Sequence, residues 1–318
     1  MNTLVIMLKN VIIFVLLAVP GYLLVRGKLL GQKESGTLSK LLTNVGMPFL
    51  ILSSTLKLEF SGQFTKSMIT AGVAGVLFTV GMFLLSGLTV RGESDDKRRG
   101  MMRFCMVFAN NGFIGIPLAR AVFGDGSAVM AYIIILNIIT NVLMFTLGVY
   151  LISGDKNTIN VKRAVLNPVL IAFVVGIILN LAGINGVLPE VQTYATYFSN
   201  IVTPISMVIL GMKMAGVEMS RLLCTGRMYF VSAMRLVAYP ALGVAVACAL
   251  RLIPGLGVNA DTVVAFFVAF AMPTAGLASA FSDQYAGDTD NAVIFTLGTT
   301  VLSVITIPVL YWALRLLV

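Results

Sequence analysis

Two stretches of this 318-residue sequence set residues able to bind a solute inside otherwise apolar runs. The first is Phe108-Ala-Asn-Asn-Gly-Phe-Ile-Gly-Ile-Pro-Leu-Ala-Arg120, with Asn110, Asn111, Gly112, Gly115 and Pro117 close together. The second is Phe270-Ala-Met-Pro-Thr-Ala-Gly-Leu-Ala-Ser279, with Pro273, Thr274, Ala275 and Gly276. Proline removes a backbone donor and clashes with the preceding turn. Glycine adds backbone freedom and removes packing. Each stretch therefore predicts a helix interrupted partway along. In a membrane, the freed N–H and C=O groups must face protein or a watery cavity, where a solute can use them. The N-terminal ends of the resulting half-helices favour anions. Singly, such prolines also serve as kinks and such asparagines as interhelical glue. Two interrupted runs at corresponding places are the stronger pointer to a transport site.

Other polar residues fall in apolar runs: Asn44, Asn137, Thr140, Asn141, Asn200, Thr203, Ser206 and Ser303. Asn137 and Asn141 are one helical turn apart and share a face. They either line one cavity or bond a neighbouring helix. Arg120 and Arg235 also fall within apolar runs. Each either offsets an anionic substrate or snorkels its guanidinium to the interface, and snorkelling is the favoured expectation. No Asp or Glu lies well inside a run, so a relay of buried carboxylates has no support. The sequence has no histidine, which removes His-based acid–base chemistry and His metal sites. Cys105, Cys224 and Cys248 are scattered, with no metal or disulfide pattern, and read as packing residues.

The elements that hold these residues follow from composition. Hydrophobic residues make up 58% of the chain and charged residues only 11%, against about 25% charged in soluble domains. Mean hydropathy is +0.97. Most of the surface must therefore meet lipid. A span needs about 20 apolar residues, and ten candidates appear: 4–25, 37–56, 66–90, 101–123, 127–152, 165–184, 191–215, 227–252, 260–284 and 291–316. Residues 11–25 read as part of a retained first span rather than a cleaved signal. Fifteen of the 22 Lys and Arg residues fall in the first, third, fifth and seventh connections. That puts the odd connections in the cytoplasm and both termini outside the cytoplasmic membrane. The net charge of +9 is thus explained by loop residues, without a nucleic-acid partner.

The connection near 153–164 splits the chain into two sets of five spans, residues 4–152 and 165–316, within one membrane domain. Five is odd, so the second set is inverted relative to the first. Weak self-matches support a repeat. Asn44-Val-Gly-Met-Pro48 corresponds to Asn200-Ile-Val-Thr-Pro204, and Phe108-Ala109 corresponds to Phe270-Ala271.

Taken together, Asn44 to Pro48, Asn110 to Leu118, and Pro273 to Gly276 with Tyr285 and Asp288 after them resemble the auxin efflux carrier family. That family includes plant PIN-type exporters and bacterial carriers for malonate or malate. The resemblance covers essentially the whole chain. It implies a fold like the bile-acid symporters and sodium/proton antiporters, with broken spans four and nine crossing in a mobile core. Spans one, two, six and seven would form a scaffold through which a homodimer forms. It further implies that Asn110, Asn111 and Gly112 beside Pro117, with Thr274 and Ala275 after Pro273, bind a substrate carboxylate. The long cytoplasmic loop of plant PIN proteins is absent, which points to a compact prokaryotic-type carrier. The sodium-holding glutamate of the symporters is not seen between Met272 and Ser282. Na⁺ and H⁺ both stay open as coupling ions, and no cofactor is implied.

The sequence therefore predicts an all-α polytopic membrane protein that carries a small mono- or dicarboxylate by alternating access. A channel or a receptor for a small anion is the alternative reading, and an intramembrane enzyme has few candidate residues. The expected site is Asn110, Asn111, Gly112, Pro117, Pro273, Thr274 and Ala275, with Asn44, Asn137 and Asn141 around it.

Overall fold

A computed structural model describes residues 3–159, 162, 165–216 and 225–316. Arg163, Arg221 and Cys224 lie outside the described residues. The described chain is helical, with one isolated antiparallel bridge. The helices are α1 (Thr3–Arg26), α2 (32–55), α3 (Gly62–Thr89), α4a (Asp96–Val107), α4b (Asn111–Phe123), α5 (Ala128–Ser153) and α6 (Pro168–Leu181). They continue as α7 (Pro189–Ala215), α8 (Gly226–Arg251), α9a (Ala260–Ala271), α9b (Ala278–Gln284) and α10 (Thr289–Leu314). Six of these, namely α1, α3, α5, α7, α8 and α10, are long and apolar enough to cross a membrane. Residues Asn111–Phe123, Pro168–Leu181 and Ala260–Ala271 are shorter apolar helices.

Local chemistry sets the helix starts. Side chains of Ser61, Asp95, Ser127, Asn167, Asn259 and Asp288 each accept a hydrogen bond from a first-turn N–H, replacing acceptors a helix start lacks. Helix α5 ends at Gly154, whose φ of +70° is the left-handed conformation glycine adopts without strain. Prolines leave a different mark. Pro48, Pro117 and Pro240 each follow a π-turn by two residues, at Leu42–Gly46, Asn111–Gly115 and Met234–Ala238. The widened turn moves the carbonyl that the proline ring would otherwise strike.

The outward faces are apolar, the reverse of a water-soluble bundle. Ile12, Leu16 and Leu23 of α1, Leu77 and Leu84 of α3, Ile178 of α6 and Ile305 of α10 are all exposed. The interior belongs to α4, α5 and α9. In α9a every residue from Thr262 to Ala271 is buried except Val264. The apolar window of α5 is 61% buried, against 22% for α1. Helices α1 and α7 pack backbone to backbone, since a Cβ on Gly211 would strike the Ala18 carbonyl oxygen and one on Gly21 would strike that of Val208. Small residues permit such an approach between apolar helices.

Polar contacts gather the connections at two ends. At one end Glu93, between α3 and α4a, takes Arg227 Nε of α8 at 2.6 Å. Arg98 lies 3.5 Å from Glu93 and 3.8 Å from Asp288, which caps α10. At the other end Asp125, between α4b and α5, meets Arg120 at 3.0 Å and Lys57, after α2, at 3.2 Å. Thr70 of α3 donates to the carbonyl of Leu256, after α8, at 2.8 Å.

Candidate functional site

The chain leaves the helix twice in the interior, at 108–110 between α4a and α4b and at 272–277 between α9a and α9b. The two gaps pair with each other. Asn110 N donates to Pro273 O at 2.7 Å and Ala275 N to Phe108 O at 2.9 Å, giving an antiparallel bridge between Ala109 and Thr274. The second gap falls where proline chemistry puts it, because Met272 before Pro273 is extended (φ −68°, ψ 150°). The first gap does not fall at Pro117. Pro117 lies inside α4b, where the π-turn absorbs it. The helix instead restarts at Asn110, whose side chain accepts from Phe113 N at 3.4 Å, while Asn110 O takes the N–H groups of Ile114 and Gly115 at 3.2 Å each.

A helix end exposes carbonyls without intrahelical donors, and those of α4a can be followed one by one. Phe104 O accepts Phe108 N at 2.9 Å. Cys105 O accepts the Thr274 hydroxyl at 2.9 Å. Met106 O and Val107 O both accept Arg235 Nη1 at 3.0 Å. The same guanidinium reaches α9a, with Nε on Met272 O at 3.0 Å and Nη2 on Phe270 O. Arg235, from the π-turn of α8, is fully buried. The expectation that it snorkels to the interface is thereby corrected: the carbonyl ends of two half-helices solvate its charge in place of water.

Beside the paired gaps lies a cavity of about 60 Å³, where roughly 10–15 Å³ admits one water. Its lining includes Asn110, Gly112, Asn137, Asn141, Ala275 and Gly276, with Thr43 and Met47 from α2. Close approach defines it. A Cβ on Gly112 would stand 3.1 Å from Met47 Cε and 3.6 Å from Asn137 Nδ2, and one on Gly276 would stand 3.5 Å from Asn110 Nδ2. Asn137 Oδ1 is buried with no protein partner, as are both side-chain polar atoms of Asn111. Leaving such groups unpaired costs about 1–3 kcal/mol each. Asn141 Nδ2 donates to Asn137 O at 2.8 Å, so the two asparagines share one face and one cavity.

The remaining expected residues are placed differently. Thr274 is buried, its hydroxyl and N–H committed to Cys105 O and, at 3.1 Å, to Thr299 Oγ1. Asn111, Pro117 and Pro273 are buried and outside the cavity lining. Asn44 is exposed and donates to Lys40 O at 2.8 Å. Arg120 sits near the end of α4b, 3.0 Å from Asp125 and 3.3 Å from Ser199 Oγ, away from the cavity. One residue that the sequence placed in a connection belongs here. Lys213, in the last turn of α7, donates from Nζ to Gly276 O at 2.9 Å, setting an ammonium behind a residue that lines the cavity. Its position two residues inside the predicted seventh span was the available signal.

A much larger groove, about 610 Å³ between α3 and α8, is lined by Leu77, Phe78, Leu85, Leu242 and similar residues. It is nearly all apolar and offers little beyond a lipid-facing surface.

An all-helical apolar bundle with a polar cavity at two paired helix gaps has the build of a membrane transport protein. The sequence model of the membrane transport protein family, that of the auxin efflux carriers, matches residues 5–162 and 156–311, and the chain belongs to that family. It is also similar to an uncharacterized transporter of Methanothermobacter thermautotrophicus, 28% identical over 306 residues covering 94% of each chain.

Proposed function

We propose that this protein is a secondary carrier for a small organic anion, a mono- or dicarboxylate, working by alternating access at the junction of α4 and α9. In this reading the chain crosses the cytoplasmic membrane ten times, in two inverted sets of five with both termini outside. The observation that carries it is the cavity beside the paired gaps. Its wall combines amide groups of Asn110, Asn137 and Asn141, the start of α4b at Gly112, and Gly276, whose carbonyl holds the Lys213 ammonium behind the lining. Amide donors, helix-start N–H groups and one cation suit a carboxylate. No acidic residue lines the cavity to oppose it among the described residues. A cation substrate would meet the wrong charge, and a large apolar one would not fit about 60 Å³.

The test is ligand-induced stabilisation of the purified protein. A ligand that binds the folded state raises its melting temperature by mass action. A panel of small carboxylates is expected to contain stabilising members, and Asn137→Leu is expected to abolish the shift while melting cooperatively. A carboxylate shift retained in full by Asn137→Leu would place the site elsewhere.

A further inference from the structure

We infer that Arg235 is a built-in cation of the α4–α9 junction, a positioning residue doing the work that a bound metal ion does where half-helix carbonyl ends are left open. This rests on the carrier reading for its meaning in transport, but its physical content stands on the structure alone. Helix C-terminal ends carry partial negative charge, and in carriers with broken helices such ends and the unwound carbonyls coordinate Na⁺. Here α4a and α9a bring carbonyls of Met106, Val107, Phe270 and Met272 to one point. That is the donor set an alkali cation would use, and the Arg235 guanidinium already occupies it.

The charge bookkeeping agrees. Arg235 forms no ion pair with a carboxylate among the described residues. Its counter-charge is therefore the pair of helix ends themselves. The planar fork matters too, because Nε, Nη1 and Nη2 are each aimed at a different stretch of carbonyls. The junction is thus divided by sign. The carbonyl ends close on Arg235, and the amide-lined cavity with the start of α4b lies on the other face. A moving core can then carry an anion past this point without recruiting a metal ion to hold its two half-helices in register.

The test compares Arg235→Lys, Arg235→Met and Arg235→Ala in purified protein, in NaCl and in choline chloride at equal ionic strength. The parent is expected to melt at the same temperature in both salts. Arg235→Met, which keeps bulk and loses charge, is expected to melt several degrees below Arg235→Lys, which keeps the charge. Arg235→Ala is expected to recover stability with millimolar methylguanidinium, or with Na⁺ over choline, because the vacated carbonyls now take a small cation. Arg235→Met melting at or above Arg235→Lys would overturn the inference, because buried ion sites replaced by apolar side chains are often neutral or stabilised. A parent stabilised by Na⁺ whose response is lost in Arg235→Met and Arg235→Lys alike would also overturn it. Should Arg235→Ala not fold, the Lys–Met contrast alone decides. These readouts need no substrate, so they hold or fail independently of carboxylate transport. In liposomes, Arg235→Lys is further expected to retain more carboxylate uptake than Arg235→Met.

Discussion

Replacing Lys213 by methionine removes the charge held on the cavity-lining Gly276 and roughly keeps the length of the side chain. The ammonium uses one of its three donors on Gly276 O at 2.9 Å. A carboxylate beside Gly276 would stand about 5 Å from that nitrogen, worth about 3 kcal/mol at an effective dielectric of about 20. Desolvation of the anion offsets part of this. The net expectation is a ten- to hundredfold rise in KM for carboxylate uptake, at about 1.4 kcal/mol per decade. Discrimination between a carboxylate and its neutral amide should shrink by the same factor. Lys213→Arg should retain most of it. The assay is concentration-dependent uptake into liposomes containing purified protein, with melting curves to show that the variant is folded. A folded Lys213→Met with KM and amide discrimination within twofold of the parent would refute the electrostatic role given to Lys213.

Other outcomes follow from the packing and the polar ends. Gly211→Ala forces α1 away from α7, because the new Cβ overlaps the Ala18 carbonyl oxygen. The expected cost is about 1–3 kcal/mol, read as a lower melting temperature, whereas Gly81→Ala, with open space at its Cβ, should be neutral or slightly stabilising. Asn180 of α6 donates to the carbonyls of Thr55, Leu56 and Leu58 at 3.1, 2.9 and 3.0 Å. Asn180→Leu removes this donor from all three, while Thr55 O keeps the Leu58 N–H at 3.2 Å, and should cost about 1–3 kcal/mol in denaturation. Burial pushes the Glu93 carboxyl up, but the Asp95 N–H, the bond and charge of Arg227 and the charge of Arg98 together hold it below its ordinary value. A lowered carboxylate stabilises the fold above the unfolded value of about 4.3 and loses that contribution as pH falls through the folded value. The melting-temperature difference between parent and Glu93→Gln should therefore be present at neutral pH and vanish at acid pH.

Much of the helix pattern was legible in the sequence, because apolar runs and capping residues are local. The expected 127–152 and 260–284 correspond to helical stretches Ala128–Ser153 and 260–284 interrupted at 272–277. Pro273 marked its gap for a local reason, the extended residue before proline. Pro117 misled, because a π-turn can absorb a proline without breaking the helix, and the break moved to Asn110, which can cap a new start. Of the asparagines, Asn137 and Asn141 were readable as one face by spacing alone. Lys213 and Arg235 were readable as falling within apolar runs, but not as groups that stay buried there. What keeps each buried is a set of carbonyls distant in sequence, Gly276 for one and residues 106–107 with 270–272 for the other. No local pattern encodes that, and the default for a basic residue in an apolar run is to reach for water.

The most direct measurement of the central claim is counterflow of a radiolabelled small carboxylate in liposomes containing the purified parent or Asn137→Leu. Alternating access at the α4–α9 cavity predicts that unlabelled carboxylate inside accelerates entry of label in the parent, and that Asn137→Leu abolishes the acceleration. Entry indifferent to internal carboxylate, or acceleration undiminished by Asn137→Leu, would contradict the account.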